Sequence, residues 1–487
     1  MAGKSASAAE RYDAVVIGCG PAGERAATQA ARAGRRVTVI ERANVVGGTR
    51  INWGTIPSKT LRESALFVLS LTRNKLDGIE SAITRTITVQ DFMYREQQVV
   101  QRELEIVNDA LDRHSIEVVR GHGRFLDAHT VGVFDQVGAQ SRALTGDVIV
   151  IATGSSPNRP AEVPFDDDCV FDASTILALP RMPRSLLVLG AGVIGVEYAS
   201  IFAALGIEVT LLDTRDRLLP YLDREIVEIL IRELRHLGVT IHHNERAAAV
   251  ARLAGPTPLV RYTGTTGRVL EAEALLYCVG RDGNTKDIGL ERIGLEANAY
   301  GLLAVNADFQ TAHPHIYAVG DVIGYPALAS TSMEQGRQAM RHAFKIPGPA
   351  VKTELLPFAV YTIPEVSYVG VTEEMVRERG IDYVVGRGRY EMNPRGQILC
   401  DTGGLLKLIF DASSLRLLGA HMAGTSASEL IHIGEAFLRT GATAPQIADI
   451  LYNYPTLADL YRHAALKAMH AAAKRTGTGD SGAPSSS

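Results

Sequence analysis

The chain is poor in cysteine. Its 487 residues include four, Cys19, Cys169, Cys278 and Cys400, separated by 150, 109 and 122 residues. No pair has Cys-x-x-Cys spacing, and a set this sparse cannot build a zinc knuckle or a disulfide framework. A reducing compartment, the cytoplasm, is the expected location. Long hydrophobic runs are missing as well: nothing approaches the roughly 18 consecutive apolar residues of a membrane span, so no membrane partner is expected. An excess of one charge is missing too. Fifty Lys and Arg stand against 54 Asp and Glu, a formal net charge of −4. That balance supports neither a nucleic-acid-binding face nor a polybasic membrane anchor. The 13 histidines show no His-x-x-x-His spacing beside an acid, so no metal is expected. Residues 1–11 read as a disordered lead-in, and the small, polar stretch 473–487 reads as a flexible tail.

What the chain has is glycine, 46 residues, about 9% against a usual 7%. Two segments account for the most informative of them. Asp13-Ala-Val-Val-Ile-Gly-Cys-Gly-Pro-Ala-Gly23 leads into an Ala-rich stretch and then Arg36-Val-Thr-Val-Ile-Glu41. Ser185-Leu-Leu-Val-Leu-Gly-Ala-Gly-Val-Ile-Gly195 leads into another, and then Glu208-Val-Thr-Leu-Leu-Asp213. Each reads as strand, Gly-x-Gly-x-x-Gly, helix, strand and acid, with 23 residues from first glycine to acid. Gly18 and Gly190 allow a tight turn, Gly20 and Gly192 admit a pyrophosphate, and Gly23 and Gly195 let the helix pack on the sheet. The phosphates meet a helix N-terminus, and Glu41 or Asp213 meets a ribose. Asp147–Ser155 and Ala274–Arg281 then read as closing strands that end at Gly154 and Gly280. A polar helix is expected near Gln90–Arg113. Two dinucleotide units in one chain of about three domains point to a flavoprotein that exchanges hydride with a nicotinamide.

Further segments carry a family resemblance. Gly47-Gly-Thr-Arg-Ile-Asn-Trp-Gly-Thr-Ile-Pro-Ser-Lys59 resembles the redox segment of the pyridine nucleotide–disulfide oxidoreductases, Gly-Gly-Thr-Cys-x-Asn-x-Gly-Cys-x-Pro-Ser-Lys. Ile316-Tyr-Ala-Val-Gly-Asp321 resembles their second FAD-contacting segment. Val360–Gly370 and Asn453-Tyr-Pro-Thr456 resemble their dimerisation domain. The resemblance implies an α/β fold with two Rossmann-like dinucleotide-binding domains, one for FAD and one for NAD(P), plus a C-terminal α+β dimerisation domain. The implied boundaries are 12–164 for the first part of the FAD domain, 165–283 for the NAD(P) domain, 284–351 for an FAD-binding central segment and 352–472 for dimerisation. The implied FAD contacts are Gly18, Gly20, Gly23, Glu41, Gly48, Thr49, Lys59, Gly123, Thr153, Gly154, Asp321 and Ala329. For NAD(P) they are Gly190, Gly192, Gly195, Glu197, Asp213, Arg215 and Gly280. Lys59, paired with Glu197, is implied beside flavin N5, where a cation stabilises the reduced, anionic ring; these two are the candidate catalytic residues.

The departures redirect the function. Arg50 and Thr55 stand where the family has its two redox cysteines, and neither forms a disulfide or a thiolate. The family's His-Pro-Thr-x-x-Glu base reads Tyr454-Pro-Thr-Leu-Ala-Asp459, and tyrosine, with a pKa near 10, is a poor base at neutral pH. Lipoamide, glutathione and mercuric ion are therefore poor substrates. Gly54–Lys59, Thr214–Leu219, Tyr317–Pro326 and Asn453–Thr456 are similar to the soluble, FAD-dependent pyridine nucleotide transhydrogenases, whose members often keep the first cysteine. The resemblance implies a ping-pong transfer from NADPH to NAD through FAD in a homodimer or larger homo-oligomer. An NAD(P)H:quinone or dye reductase, or a non-catalytic nucleotide-sensing subunit, are the alternatives. Asp213 favours NAD, whereas Arg215 and Arg217 are either ligands for a 2′-phosphate or solvated charges. Arg50 either faces the flavin ring or is a solvated or cleft-lining arginine. Cys19 reads as a small filler of the phosphate loop, and His432 and His463 as packing residues.

Overall fold

A computed structural model describes residues 9–73, 88–255, 258–348 and 355–475. Its chain divides into two compact units. The first comprises Met1–Leu61, Arg85–Met182 and Cys278–Val351, and the second Arg62–Thr84, Pro183–Tyr277 and Lys352–Ser487.

The first unit is built on β1 (Glu10–Ile17), α1 (Pro21–Arg32), β2 (Val37–Glu41) and α2 (Gly48–Asn52). In its seven-stranded sheet, β1 lies between β2 and the strand Gln140–Ile151, parallel to both. Val16 faces Val39 on one side and Val150 on the other. Both faces of β1 are covered, which explains its unbroken apolar run. Ala14 and Val16 join the alanines of α1 in one core, while Val15 and Ile17 join Phe125, Val131 and Ile149 in another. The alanines keep α1 thin, and the helix Ala329–Ala343 packs against it. A Cβ built on Gly336 of that helix would stand 2.1 Å from the Ala22 carbonyl oxygen. The polar helix spans Val89–Arg113 and is closed at its start by a capping box between Thr88 and Asp91.

The second unit repeats the device with β3 (Ser185–Leu189), α3 (Val193–Ala204) and β4 (Glu208–Leu212). β3 pairs in parallel with β4 and with Ala274–Tyr277. The same unit holds an antiparallel sheet in the order Phe358–Val360, Val366–Gly370, Leu417–Ala423, Leu405–Asp411 and Tyr383–Arg389. The helices Ala427–Thr440 and Leu460–Arg475 pack on it through Ile431, Leu460, Tyr461 and Ala464.

Two expected boundaries need correction. β1 begins at Glu10, inside the expected lead-in, because Glu10 pairs with Leu144 and its carboxylate binds Arg142. The last helix runs to Arg475, inside the expected tail, because Arg475 binds Asp382 and the Tyr383 carbonyl. Residues 1–8 and 476–487, the rest of those two segments, lie outside the described residues. Among the described residues, no helix is long and apolar enough to cross a membrane.

A buried cation joins the parts of the second unit. Lys407, 2% exposed, places Nζ 2.8 Å from Asp223, 3.2 Å from Glu225 and 2.5 Å from Glu373. Asp223 caps the helix Arg224–His236 and also accepts the Glu373 backbone N–H. Burial alone would pull Lys407 down, but Asp223 and Glu373 hold it above its ordinary pKa. Lys407→Met leaves the buried Asp223 without its cation and is expected to lower the unfolding free energy in urea by about 3–5 kcal/mol. The double variant Lys407→Met/Asp223→Asn is expected to recover part of that loss.

Candidate functional site

The first phosphate loop is shaped by contacts that leave no room for side chains. Gly18 has φ +103°, and a Cβ there would stand 2.4 Å from the Ala152 carbonyl oxygen. A Cβ on Gly23 would stand 1.9 Å from the Gly18 carbonyl oxygen, so α1 is seated directly on the turn. Gly20 caps α1 without a side-chain hydrogen bond, so the helix presents its first N–H groups from bare backbone. The start of α2 comes against this loop: Gly47 donates to the Cys19 carbonyl at 2.7 Å, and a Cβ on Gly48 would lie 2.7 Å from the Gly20 Cα.

Glu41 ends β2 with its carboxylate held in place. Oε2 accepts the Cys19 N–H and Oε1 the Ala43 N–H, both at 2.8 Å. Burial, then the Glu41 charge, pushes the Cys19 thiol up to about 12, so no thiolate forms in the loop.

Asp321 is brought to the same neighbourhood by the turn before it. A Cβ on Gly320 would lie 3.0 Å from Ala22 of α1, and the Gly320 N–H donates to Gln335. Asp321 accepts the Ser155 hydroxyl at 2.8 Å; Ser155 accepts Arg281 Nε at 2.9 Å. Burial draws Arg281 below its ordinary pKa, against the pull of Asp321 and Asp172. Arg281 and Ser155 had no role in the sequence reading; the Gly-Arg step after the second closing strand was the only available signal. Beside them, the Thr153 hydroxyl is buried and makes no hydrogen bond among the described residues. That orphan hydroxyl, the bare glycine backbone and the oriented Glu41 fit an adenine dinucleotide.

The other expected FAD contacts are more scattered. Thr49 lies in α2, Gly154 follows Thr153 with φ +71°, and Ala329 opens its helix. Gly123 lies in the strand His122–Phe125, where a Cβ would press on Ile17 and Ile40. Lys59 sits in the helix Thr55–Arg73 with Nζ 3.4 Å from the Ser58 hydroxyl. It belongs to the first unit and Glu197 to the second.

The second loop has the same build. Gly190 has φ +97°, and a Cβ on Gly195 would stand 1.8 Å from the Gly190 carbonyl oxygen. A Cβ on Gly192 would meet nothing within 4 Å, so that glycine leaves the backbone open to approach. Glu197 on α3 is buried and accepts the Tyr361 N–H at 2.8 Å. Asp213 is buried too, and Arg215 grips its carboxylate through Nε at 3.0 Å and a terminal nitrogen at 2.8 Å. Arg217 turns elsewhere, to the Leu222 carbonyl and toward Glu374. Gly280 falls among residues grouped with the first unit, and its carbonyl accepts the Asn158 N–H.

The positions of the lost dithiol chemistry are occupied. Arg50 is neither solvated nor without a partner: it binds Glu24 of α1 at 2.9 Å. Asp459 pairs with His463 at 3.2 Å, and Tyr454 is exposed. His432 is paired with Glu435 on its own helix.

The pyridine nucleotide-disulphide oxidoreductase family model matches residues 12–336, and the model of that family's dimerisation domain matches residues 356–465. The chain belongs to this family. It is similar to the soluble pyridine nucleotide transhydrogenase of Mycobacterium bovis (strain BCG / Pasteur 1173P2), at 46% identity over 94% of this chain and 97% of the relative. It is similar to the protein of the same name from Yersinia enterocolitica, at 41% identity over 94% and 98%. Among solved structures it resembles LpdA from Mycobacterium tuberculosis, with a TM-score of 0.84, 27% identity and coverage of 94% and 99%. It also resembles the HOCl-induced flavoprotein disulfide reductase RclA from Escherichia coli, with a TM-score of 0.83, 29% identity and coverage of 93% and 99%.

The thiols behave as bystanders in this geometry. Cys19 and Cys169 are buried, burial raises Cys278, and Cys400 is exposed. A disulfide-exchange reagent at pH 8 is expected to find one fast thiol in the native protein and four after unfolding in guanidinium. Cys400→Ser should remove the fast phase.

Proposed function

We propose that this protein carries hydride from NADPH to NAD through FAD, as a cytoplasmic homodimer, with the donor leaving before the acceptor enters. The observation that carries this reading is the pairing of two complete dinucleotide loops with a redox segment whose first cysteine position is an arginine bound to Glu24. The name carried by relatives that match nearly end to end supports the same reaction.

Bound FAD supplies the two-electron carrier. The protein's part is binding and electrostatics. The α1 loop holds the pyrophosphate, Glu41 holds the ribose, and Asp321 and Thr153 meet the remaining polar atoms of the cofactor. Lys59 sets a positive charge beside the reacting ring edge. The proposed domain limits follow the sequence with the two outer ends corrected: 10–164 and 284–351 for FAD, 165–283 for NAD(P) and 352–475 for dimerisation.

One nicotinamide site serves donor and acceptor, because the two differ by a single phosphate. Asp213 alone would repel that phosphate, but its charge is already met by Arg215. The pair offers the acid to a ribose hydroxyl and the arginine to a phosphate.

NADPH mixed with thionicotinamide NAD is expected to give reduced thionicotinamide, with parallel double-reciprocal lines. Dye or quinone reduction without that transfer would overturn the reading. Arg215→Ala is expected to raise KM for NADPH at least about tenfold more than for NADH, the equivalent of one charge-assisted hydrogen bond. Equal effects on both nucleotides would remove Arg215 from phosphate recognition.

A further inference from the structure

The first turn of α1 carries an acid where an anion is to bind. Glu24 lies four residues past the cap Gly20, and its side chain is only 5% exposed. A helix N-terminus attracts one negative group well, through its free N–H groups and its dipole. Here a carboxylate and a pyrophosphate claim the same end. Glu41 adds a second carboxylate, bonded to the loop N–H of Cys19. The Glu24 charge is felt in the loop itself: after burial and Glu41, it also contributes to the raised thiol of Cys19.

Arg50 is the cation placed against this acid. Its terminal nitrogen lies 2.9 Å from Glu24 Oε2, and its side chain is 12% exposed. Arg25 reaches the same carboxylate only at 3.9 Å and is far more exposed. The placement of Arg50 follows from α2. Gly48 touches Gly20, and the Asn52 side chain donates to the Val46 and Gly48 carbonyls, which fixes the helix that carries Arg50. The Arg50 Nε is buried and makes no hydrogen bond among the described residues, so the guanidinium keeps donor capacity beyond Glu24.

We propose that Arg50 is a positioning residue for the cofactor: it neutralises Glu24, so that the pyrophosphate of FAD binds at the start of α1 without facing an uncompensated carboxylate. The proposal rests on FAD occupying the first loop. It assigns a cofactor-holding role to the position that carries a redox cysteine in the resembling family. An ordinary structural ion pair loses about as much when either partner is removed. A charge shield is asymmetric, because only removal of the cation leaves a negative charge facing the phosphates.

The test is FAD affinity, read from flavin fluorescence on reconstitution of the apoprotein, with folding followed by circular dichroism. Arg50→Met is expected to weaken FAD about 10- to 100-fold, in line with a lost charge-assisted contact. Glu24→Gln should bind FAD at least as tightly as the parent, Glu24→Gln/Arg50→Met should return to within about threefold of it, and added salt should partly restore Arg50→Met. If Arg50→Met fails to fold, Glu24→Gln and Arg50→Lys decide, both being expected to keep FAD. Weaker binding by Glu24→Gln, equal losses in both single variants, or full affinity in Arg50→Met would each overturn the proposal. A parent apoprotein that takes up no FAD would instead overturn the cofactor assignment.

Discussion

The structure depends on how closely each phosphate-loop helix sits on the turn that precedes it. In both loops the third glycine lies where any Cβ would be within 2 Å of the first glycine's carbonyl oxygen. That contact places the helix N-terminus at the end of a strand that the sheet holds on both sides. The N–H groups at the start of each helix are thus positioned by packing, not by side chains. The same seating orients the acid at the end of the next strand, because β2 and β4 are in parallel register with β1 and β3.

The two copies differ in what their acids do. Glu41 is occupied by backbone N–H groups, one of them from the phosphate loop, and is held as part of the turn. Asp213, one methylene shorter, is gripped by the guanidinium of Arg215. The first arrangement suits a resident cofactor, with a rigid carboxylate and no mobile partner. The second ties the acid to a side chain instead of to the backbone.

Much of this was legible in the sequence. The paired Gly-x-Gly-x-x-Gly segments are local signals, because three glycines, an apolar strand and an acid all lie within one short stretch. The polar helix expected near Gln90–Arg113 was legible as well, and it spans Val89–Arg113. What escaped were pairings between residues distant in the chain. Arg281 reaches Ser155, which in turn donates to Asp321, and no spacing rule joins those three positions. Arg50 reaches Glu24 across 26 residues, and its identity alone left open a flavin-facing arginine and a solvated or cleft-lining one. Arg217 stood beside Arg215 in sequence, but the turn aims it at the Leu222 carbonyl, away from Asp213. The chain ends were misjudged because composition alone does not show that Glu10 and Arg475 each have an ion-pair partner.

The Lys407 cluster has a consequence for behaviour on heating. It is a network of one lysine and three acids, extended by Arg387 on Glu225 and Arg377 on Glu373. The cost of removing charges from water falls as temperature rises, while hydrophobic stabilisation per unit area levels off. The second unit therefore draws a growing share of its cohesion from charge as it warms. Its antiparallel sheet and the helix capped by Asp223 stay joined at temperatures where apolar packing has stopped gaining strength.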